Sequence, residues 1–406
     1  MKTKNLMAMM AVLLTAGCSQ NEITEVSPDA HPTIGFGVYT GVQTKGQDVT
    51  NTTMQDACDD THNGGFGIMG YFTGSKSWSE AKGTVAPSFM YNQLVTYDKA
   101  KTSWTYTPVK YWPNNAKDKV SFFAYAPYEP DGNKHGIKVS ARTEVGIPEI
   151  VFTLKDKDNL TKMVDLVVSK ALDKTSTDGK ISFPFSHTLS KISFKVKAGD
   201  DYEGLDGDNS FIYVTKMWIV GKTGNLSDSD NPLKNADSKF YTKAAWKDLH
   251  WDYTDAVVSN DDFDIKQLMD VDAGITEVDE NGNNPTTITG IKVTNTTAKD
   301  LFKSNEFLYL IPIGDTTEMV DDNKDSGGCK EGDIKIGFHY DIVTKSTNNT
   351  NQYLVSHAET AVSLPAHHMK RNKAYVYTFT INLKKIEVSA AEVAPWGPEV
   401  GNFPVQ

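Results

Sequence analysis

The sequence predicts an all-β protein. Short runs with a hydrophobic residue at every second position recur along the chain, clusters of Gly, Asn, Asp and Ser separate them, and no long amphipathic helix pattern interrupts them. In one such run Ile334, Ile336, Phe338, Tyr340 and Ile342 share a face, while Lys335, His339 and Asp341 take the other. Tyr375, Tyr377, Phe379, Ile381 and Leu383 repeat the pattern.

The chain opens with a leader. Lys2 and Lys4 give it a positive start, and the uncharged run Leu6–Ala16 is shorter than the roughly 20 residues a bilayer span needs, so residues 1–17 read as a signal peptide. Leu14-Thr15-Ala16-Gly17-Cys18 resembles the lipobox of bacterial lipoproteins, with Thr15 where leucine is more usual. That resemblance implies cleavage after Gly17 and acylation of Cys18, and several acyl chains make a durable anchor where a single chain does not. An ordinary secretory signal with a chance cysteine is the competing reading. Residues 18–32 are polar, acidic and proline-flanked, as suits a flexible tether.

Composition narrows the remaining classes. The net charge of −11 becomes −13 once Lys2 and Lys4 leave with the signal, and Arg142 and Arg371 are the only arginines. Phosphate contacts need clustered Lys and Arg, so nucleic acid is not an expected partner. Apart from Cys18 the cysteines are Cys58 and Cys329, far apart, which implies neither a disulfide framework nor a zinc site of short spacing.

The folded body divides into two blocks. Residues 33–172 carry the runs Ile34–Tyr39, Phe66–Phe72, Val120–Tyr125, Ile150–Leu154 and Leu166–Ser169. The polar stretch Asp173–Gly179 reads as a hinge. Residues 181–406 follow, with acidic insertions at Asp200–Asn209, Gly221–Ser238, Asp270–Pro285 and Asp315–Asp333. Apolar parity flips between Leu189 and Ile192, and again after Lys384-Lys385, where Ile386 and Val388 take over, which predicts a corner or bulge at each place.

Several segments together resemble the fimbrillin-like proteins of Bacteroidetes. They are Trp104–Pro113 followed by Val120–Pro127, Asp165–Val168 with Phe183–Ile192, Tyr375–Ile381, and Ala394-Pro395-Trp396, in that order over nearly the whole chain. The resemblance implies two transthyretin-like Greek-key β-sandwich domains in tandem and a role as a surface fimbria (pilus) subunit, with other fimbrial subunits and the outer membrane as partners and a host protein or glycan as a ligand. It further implies that a protease cutting after an arginine removes the first strand, and that a strand from a neighbouring subunit fills the groove. Such an exchange is physically sound, because a sandwich lacking a strand exposes unpaired backbone and an apolar slot.

The sequence departs from that scheme at one point. No arginine lies between Cys18 and Arg142, and the nearest equivalent is Thr44-Lys45-Gly46, so trimming has to use Lys45 and Gly46. A subunit cut there joins the fibre as stalk or tip; an uncut one stays on its lipid and serves as an accessory subunit. The expected contact with a neighbour is the terminal segment, through Pro395, Trp396, Val400, Phe403 and Val405, although Trp396 plugging its own domain is an equal reading and Ile386–Val393 may share the donor role.

Other chemistry is thinly represented. His367 and His368 are adjacent, so on a strand they point to opposite faces and are badly placed to chelate one ion. His187 reads as a core histidine bonded to backbone. Asp270–Gly274 and Asp279–Asn283 echo calcium loops without the full ligand spacing. No nucleophile elbow, metalloprotease helix or phosphate loop is present, so neither catalysis, a cofactor nor a metal is expected. The rival reading is a glycan-binding surface lipoprotein using aromatic residues such as Trp78, Tyr111 and Trp112.

Overall fold

A computed structural model describes residues 32–40, 48–59, 62–130, 134–155, 159–200, 202, 209–222, 239–265, 268–293, 297–304, 306–315, 327–347, 352–382, 386–388 and 392–396. The fold is all-β. In chain order the first strands are β1 (Phe36–Tyr39), β2 (Phe66–Gly74), β3 (Met90–Asp98), β4 (Ser103–Thr105), β5 (Lys119–Ala126), β6 (Ile137–Val139), β7 (Ile150–Thr153), β8 (Val167–Lys174), β9 (Ile181–Pro184) and β10 (Ser186–His187). Six of them form one sheet in the order β10-β8-β5-β2-β3-β4.

That sheet is buried on both faces, and the two-residue period of a strand deals its side chains to two cores. Phe66, Ile68, Val120, Phe122, Ala124 and Val167 face one core together with Ile34, Phe36, Trp112, Ile181, Phe183 and Phe185. Met69, Tyr71, Phe123, Tyr125 and Val168 face the other, which holds Trp78 and Phe152 and continues without a break into the second block. This is why β5 reads as a nearly continuous apolar run rather than a clean alternation.

The second block supplies β11 (Ser190–Ala198), β12 (Ser210–Ile219), β13 (Tyr241–Lys247), β14 (His250–Val258), β15 (Phe263–Asp264), β16 (Ile275–Glu277), β17 (Thr286–Ile288), β18 (Ile291–Val293), β19 (Lys299–Asp300), β20 (Leu308–Leu310), β21 (Lys335–Lys345), β22 (Gln352–Ser363), β23 (Lys373–Ile381), β24 (Ile386–Val388) and β25 (Glu392–Pro395). One sheet runs β19-β11-β23-β24, with β20 also paired to β11 and β25 to β23; the facing sheet runs β15-β12-β21-β22-β16-β17. Ile192, Phe194, Tyr377, Phe379, Ile212, Val214, Met217, Ile336 and Phe338 meet between them. The step from Val214 to Met217 reflects a bulge in β12, which restores the inward face one residue out of phase.

The back of the second sheet is not empty either. Gly337 lies against the Trp218 ring so closely that a Cβ there would sit 2.1 Å from it, so only glycine admits the indole.

Three expectations change. The polar stretch Asp173–Gly179 is a turn rather than a hinge: Asp178 Oδ2 accepts the Thr175 N–H at 2.7 Å, and the chain re-enters the first block as β9 and β10. It passes to the second block only between His187 and Ser190, at the first parity flip. The second flip is a reversal of direction, since β24 pairs antiparallel with β23, Ile386 opposite Ile381. In addition, the β13–β14 hairpin of the second block completes a sheet with β7 and β6 of the first, in the order β14-β13-β7-β6. The insertions at Gly221–Ser238 and Asp315–Asp333 lie largely outside the described residues.

His135 sits buried beside this first sheet, its Nε2 2.8 Å from Asn63 Oδ1. Burial, aided by neighbouring Lys134, lowers its pKa from the ordinary 6.5 to about 4. The folded chain therefore takes up this proton less readily than the unfolded chain, and the stability tied to neutral His135 is present above pH 6.5 and lost as the pH falls towards 4. Urea unfolding at pH 7 and pH 4.5 should show a smaller acid loss for His135→Gln than for the parent chain.

Candidate assembly site

Among the described residues β1, a strand of four residues, is paired along one edge. It pairs in parallel with β9, Phe36 opposite Ile181 and Tyr39 opposite Pro184, in a sheet of two strands. Ahead of it the Ile34 N–H donates to Lys110 O at 2.9 Å and the Trp112 N–H to Pro32 O at 3.1 Å. Tyr106 adds its hydroxyl to Ile34 O at 2.8 Å. Ile34 and Phe36 are buried, Val38 is half-buried, and Tyr39 is exposed. The Phe36 ring, 1 % exposed, lies 5.2 Å from Tyr106 and 5.7 Å from both Phe122 and Phe183. A cleft of about 310 Å³ follows the strand, lined by Thr33, Gly35, Trp104, Trp112 and Lys180 among others.

The chain beyond β1 is fixed again at once. Residues 41–47, including Lys45 and Gly46, lie outside the described residues, but their two flanks meet: Thr40 Oγ1 accepts the Asn51 N–H at 3.0 Å. Asp48 follows, and its carboxylate is buried. Oδ2 lies 2.6 Å from Lys191 Nζ, and Oδ1 accepts the Tyr309 hydroxyl at 2.6 Å. Lys191 and Tyr309 are opposite one another on β11 and β20, so their polar ends converge on one point. The next residue, Val49, donates its N–H to Asp165 Oδ2 at 2.7 Å. Thr50 then caps a single helical turn, α1 (Asn51–Met54).

Asp165 is shared with His187, whose Nδ1 is 2.9 Å from Oδ2. Burial raises the Asp165 pKa, against the opposing pull of His187. Tyr309 is held well above the ordinary phenol range by burial and then by the Asp48 charge. The partner of His187 is thus a carboxylate rather than the expected backbone group.

The C-terminal segment closes this node. β25 runs antiparallel to β23, Pro395 opposite Lys373. Trp396, 2 % exposed, stacks on His187 with centroids 3.9 Å apart and on Tyr309 at 5.2 Å. So Trp396 fills its own chain, joining the first block through His187 and the second through Tyr309. Val400, Phe403, Val405 and Cys18 lie outside the described residues. Sequence reasoning singled out Lys45, which lies outside the described residues, and Trp396, but missed Asp48, Asp165, Lys191 and Tyr309. The one signal available was Lys191 interrupting the apolar alternation of Leu189 and Ile192.

The remaining sequence-derived sites resolve otherwise. Trp78 and Trp112 are buried against Phe123 and Phe122, which removes the aromatic platform of the glycan reading. His367 bonds Gly327 O, while His368 packs beside Tyr375 and Tyr377, so the two rings do not converge. Asp272 accepts from the Lys292 N–H and from Lys299 Nζ, and Asp279 accepts from Asn281 and Asn283 of its own turn. Cys58 and Cys329 are both free thiols. Arg371 is buried against Asp315, which leaves Arg142 as the exposed arginine, far along the chain from the connector. Among the described residues no helix is long and apolar enough to cross a membrane.

Comparison with known proteins agrees with this architecture. A family model described as fimbrillin-like matches residues 50–396. A fimbrium subunit, Fim1C, of Phocaeicola vulgatus is 35 % identical over 402 residues, covering 97 % of this chain and 96 % of that protein. The crystal structure of a fimbrial protein from Bacteroides vulgatus superposes with a TM-score of 0.69 at 31 % identity, covering 90 % of this chain and 99 % of that one.

Removing one member of a buried ion pair leaves the other charge without compensation, at a cost of about 3–5 kcal/mol. Lys191→Met and Asp48→Ala should each lower unfolding stability on that scale, and the double variant should lose much less than their sum, as urea titration of all four proteins would measure.

Proposed function

The chain belongs to the fimbrillin-like family, and from that premise we propose that it is a subunit of a bacterial surface fimbria that joins its neighbours by strand exchange at the β1 slot. It reaches the surface as a lipoprotein held at the outer membrane by Cys18, with two sandwich units as its body. Cutting between Lys45 and Gly46 separates β1 from the rest and releases the lipid with it. The slot left behind takes the terminal segment of the next subunit. An uncut copy stays on its anchor as an accessory subunit.

The observation that carries this reading is the contrast on either side of residues 41–47. Upstream, β1 is held by the β9 ladder and by apolar burial, and the residues just ahead of it by bonds to Lys110, Trp112 and Tyr106. Two or three buried side chains at about 1.5–3 kcal/mol each are what a replacement strand must match. Downstream, Asp48 and Val49 are locked into the body by charge and hydrogen bonds. Lys45 is the sole lysine or arginine between Cys18 and Lys76, so a basic-residue protease has one place to cut here. The replacement is also patterned. Phe403 and Val405 are two residues apart in sequence, the spacing that puts Phe36 and Val38 on one face of β1. Pro404 between them is tolerable because the vacated position is a sheet edge.

Limited digestion with a lysine-specific protease tests the scheme. We expect one early cut after Lys45, followed by oligomer ladders that survive detergent without heating. Lys45→Ala should block the cut, and Phe403→Asp should leave it intact while abolishing the ladder. Cut chains that stay monomeric with β1 still bound would overturn the strand-exchange reading, and polysaccharide binding without assembly would favour the glycan-binding alternative.

A further inference from the structure

On the back of the β12–β21–β22 sheet, away from the main core, lies a cluster that the assembly site does not use. Asp341 and His357 are opposite one another in the β21–β22 register, and His339, two residues along β21, shares their face. Glu277 arrives from β16, the next strand beyond β22. His357 Nδ1 is 2.8 Å from Asp341 Oδ1, and its Nε2 is 3.1 Å from Glu277 Oε1. His339 Nε2 lies 3.8 Å from the same Asp341 oxygen. Ligand atoms from His339, Asp341 and His357 all fall within 4.8 Å of one another. Asp341 is buried at the bottom, and the histidines open towards solvent.

The hydrogen bonding around His339 gives its ring a direction. The Thr215 hydroxyl lies 3.2 Å from His339 O and donates its single proton there, so the same oxygen accepts from His339 Nδ1, also at 3.2 Å. The proton of the neutral ring is then on Nδ1, and Nε2 presents a lone pair to the Asp341 carboxylate. At 3.8 Å the two are too far apart for a hydrogen bond, and two lone pairs facing each other are stabilised by a cation between them. Lys216, across from His339, does not fill the gap and turns instead to Asp264 and the Trp218 ring.

We infer that His339, Asp341 and His357 bind a divalent transition metal ion of the zinc class, with Glu277 holding the outer nitrogen of His357. Imidazole and carboxylate oxygen are the ligands such an ion takes, and bonds of about 2.0–2.2 Å set tetrahedral neighbours roughly 3.3 Å apart. That spacing falls between the 2.8 Å and 3.8 Å separations already present. Thr215 serves as the outer partner that fixes the ligating nitrogen of His339. The ion ties β21 to β22, and Glu277, bonded to the outer nitrogen of His357, brings in β16 beside the small apolar cluster of Phe211, Tyr213 and Val343, against which Ile275 and Ile288 pack. Short-spaced ligand motifs do not reveal such a site, because strand register brings His339 and His357 together.

The test uses the full chain freed of any histidine tag. Titration with zinc chloride by calorimetry, and with cobalt by visible absorption, should give one ion per chain. Zinc should raise the melting temperature and slow amide exchange in residues 275–288. His357→Gln and His339→Gln should abolish the one-ion stoichiometry, and Thr215→Val should weaken binding about 10–100-fold. Circular dichroism would confirm that these variants fold. Absence of stoichiometric binding, or binding retained in both histidine variants, or binding removed only by changing His367 and His368, would overturn the assignment.

Discussion

A carboxylate taken out of water has to be answered by charge and hydrogen bonds, and Asp48 draws both from parts of the chain remote in sequence. The uncompensated penalty is several kcal/mol per ion, so this residue settles only where Lys191 and Tyr309 are already in place. They are in place because β11 and β20 pair with those two residues opposite each other. The floor of the node is Trp396, carried there by β25, with His187 on its far side. Three pieces of chain therefore have to be native before Asp48 can be buried, and once buried it fixes the start of everything downstream of residues 41–47.

The bonding differs in kind on the two sides of residues 41–47. β1 contributes to the first core by shape and apolarity: Ile34 and Phe36 point inward, and its backbone is satisfied by β9 and by Lys110. Nothing in that bonding depends on which chain supplies the strand. The Asp48 node is different, since it demands one charge at one place. In the proposed assembly, a cut between Lys45 and Gly46 would therefore act on the exchangeable side and leave the specific side intact.

The strands were legible because burial imposes a two-residue period, and the runs at Ile34–Tyr39, Val120–Tyr125, Ile334–Ile342 and Tyr375–Ile381 all became strands. Their partners were not, because periodicity says which face is buried but not against what. The flip at Leu189–Ile192, expected as a corner or bulge, marks the passage between the blocks, whereas the stretch Asp173–Gly179 does not, since a polar turn and a polar hinge have the same composition. The node stayed hidden for a related reason. A buried Asp is indistinguishable in sequence from the many solvated ones of an acidic chain, and only the opposed Lys191 and Tyr309 reveal it.

Register also accounts for the polar back of the second sheet. An antiparallel pair brings together residues that sequence separates, and a sheet covered on one side by a core still has a second face to fill. Here that face is filled unevenly: Trp218 lies over Gly337 at one end, Phe211 and Tyr213 pack with Val343 at the other, and His339, Asp341 and His357 occupy the middle. The bulge between Val214 and Lys216 falls opposite that middle. A bulge re-aims a side chain, and in this one the extra residue is Thr215, whose hydroxyl orients His339. A β12 without the bulge would keep its inward face in phase but would lose the residue that sets the direction of the imidazole. The irregularity in the ladder is thus the feature that makes an otherwise structural sheet face chemically specific.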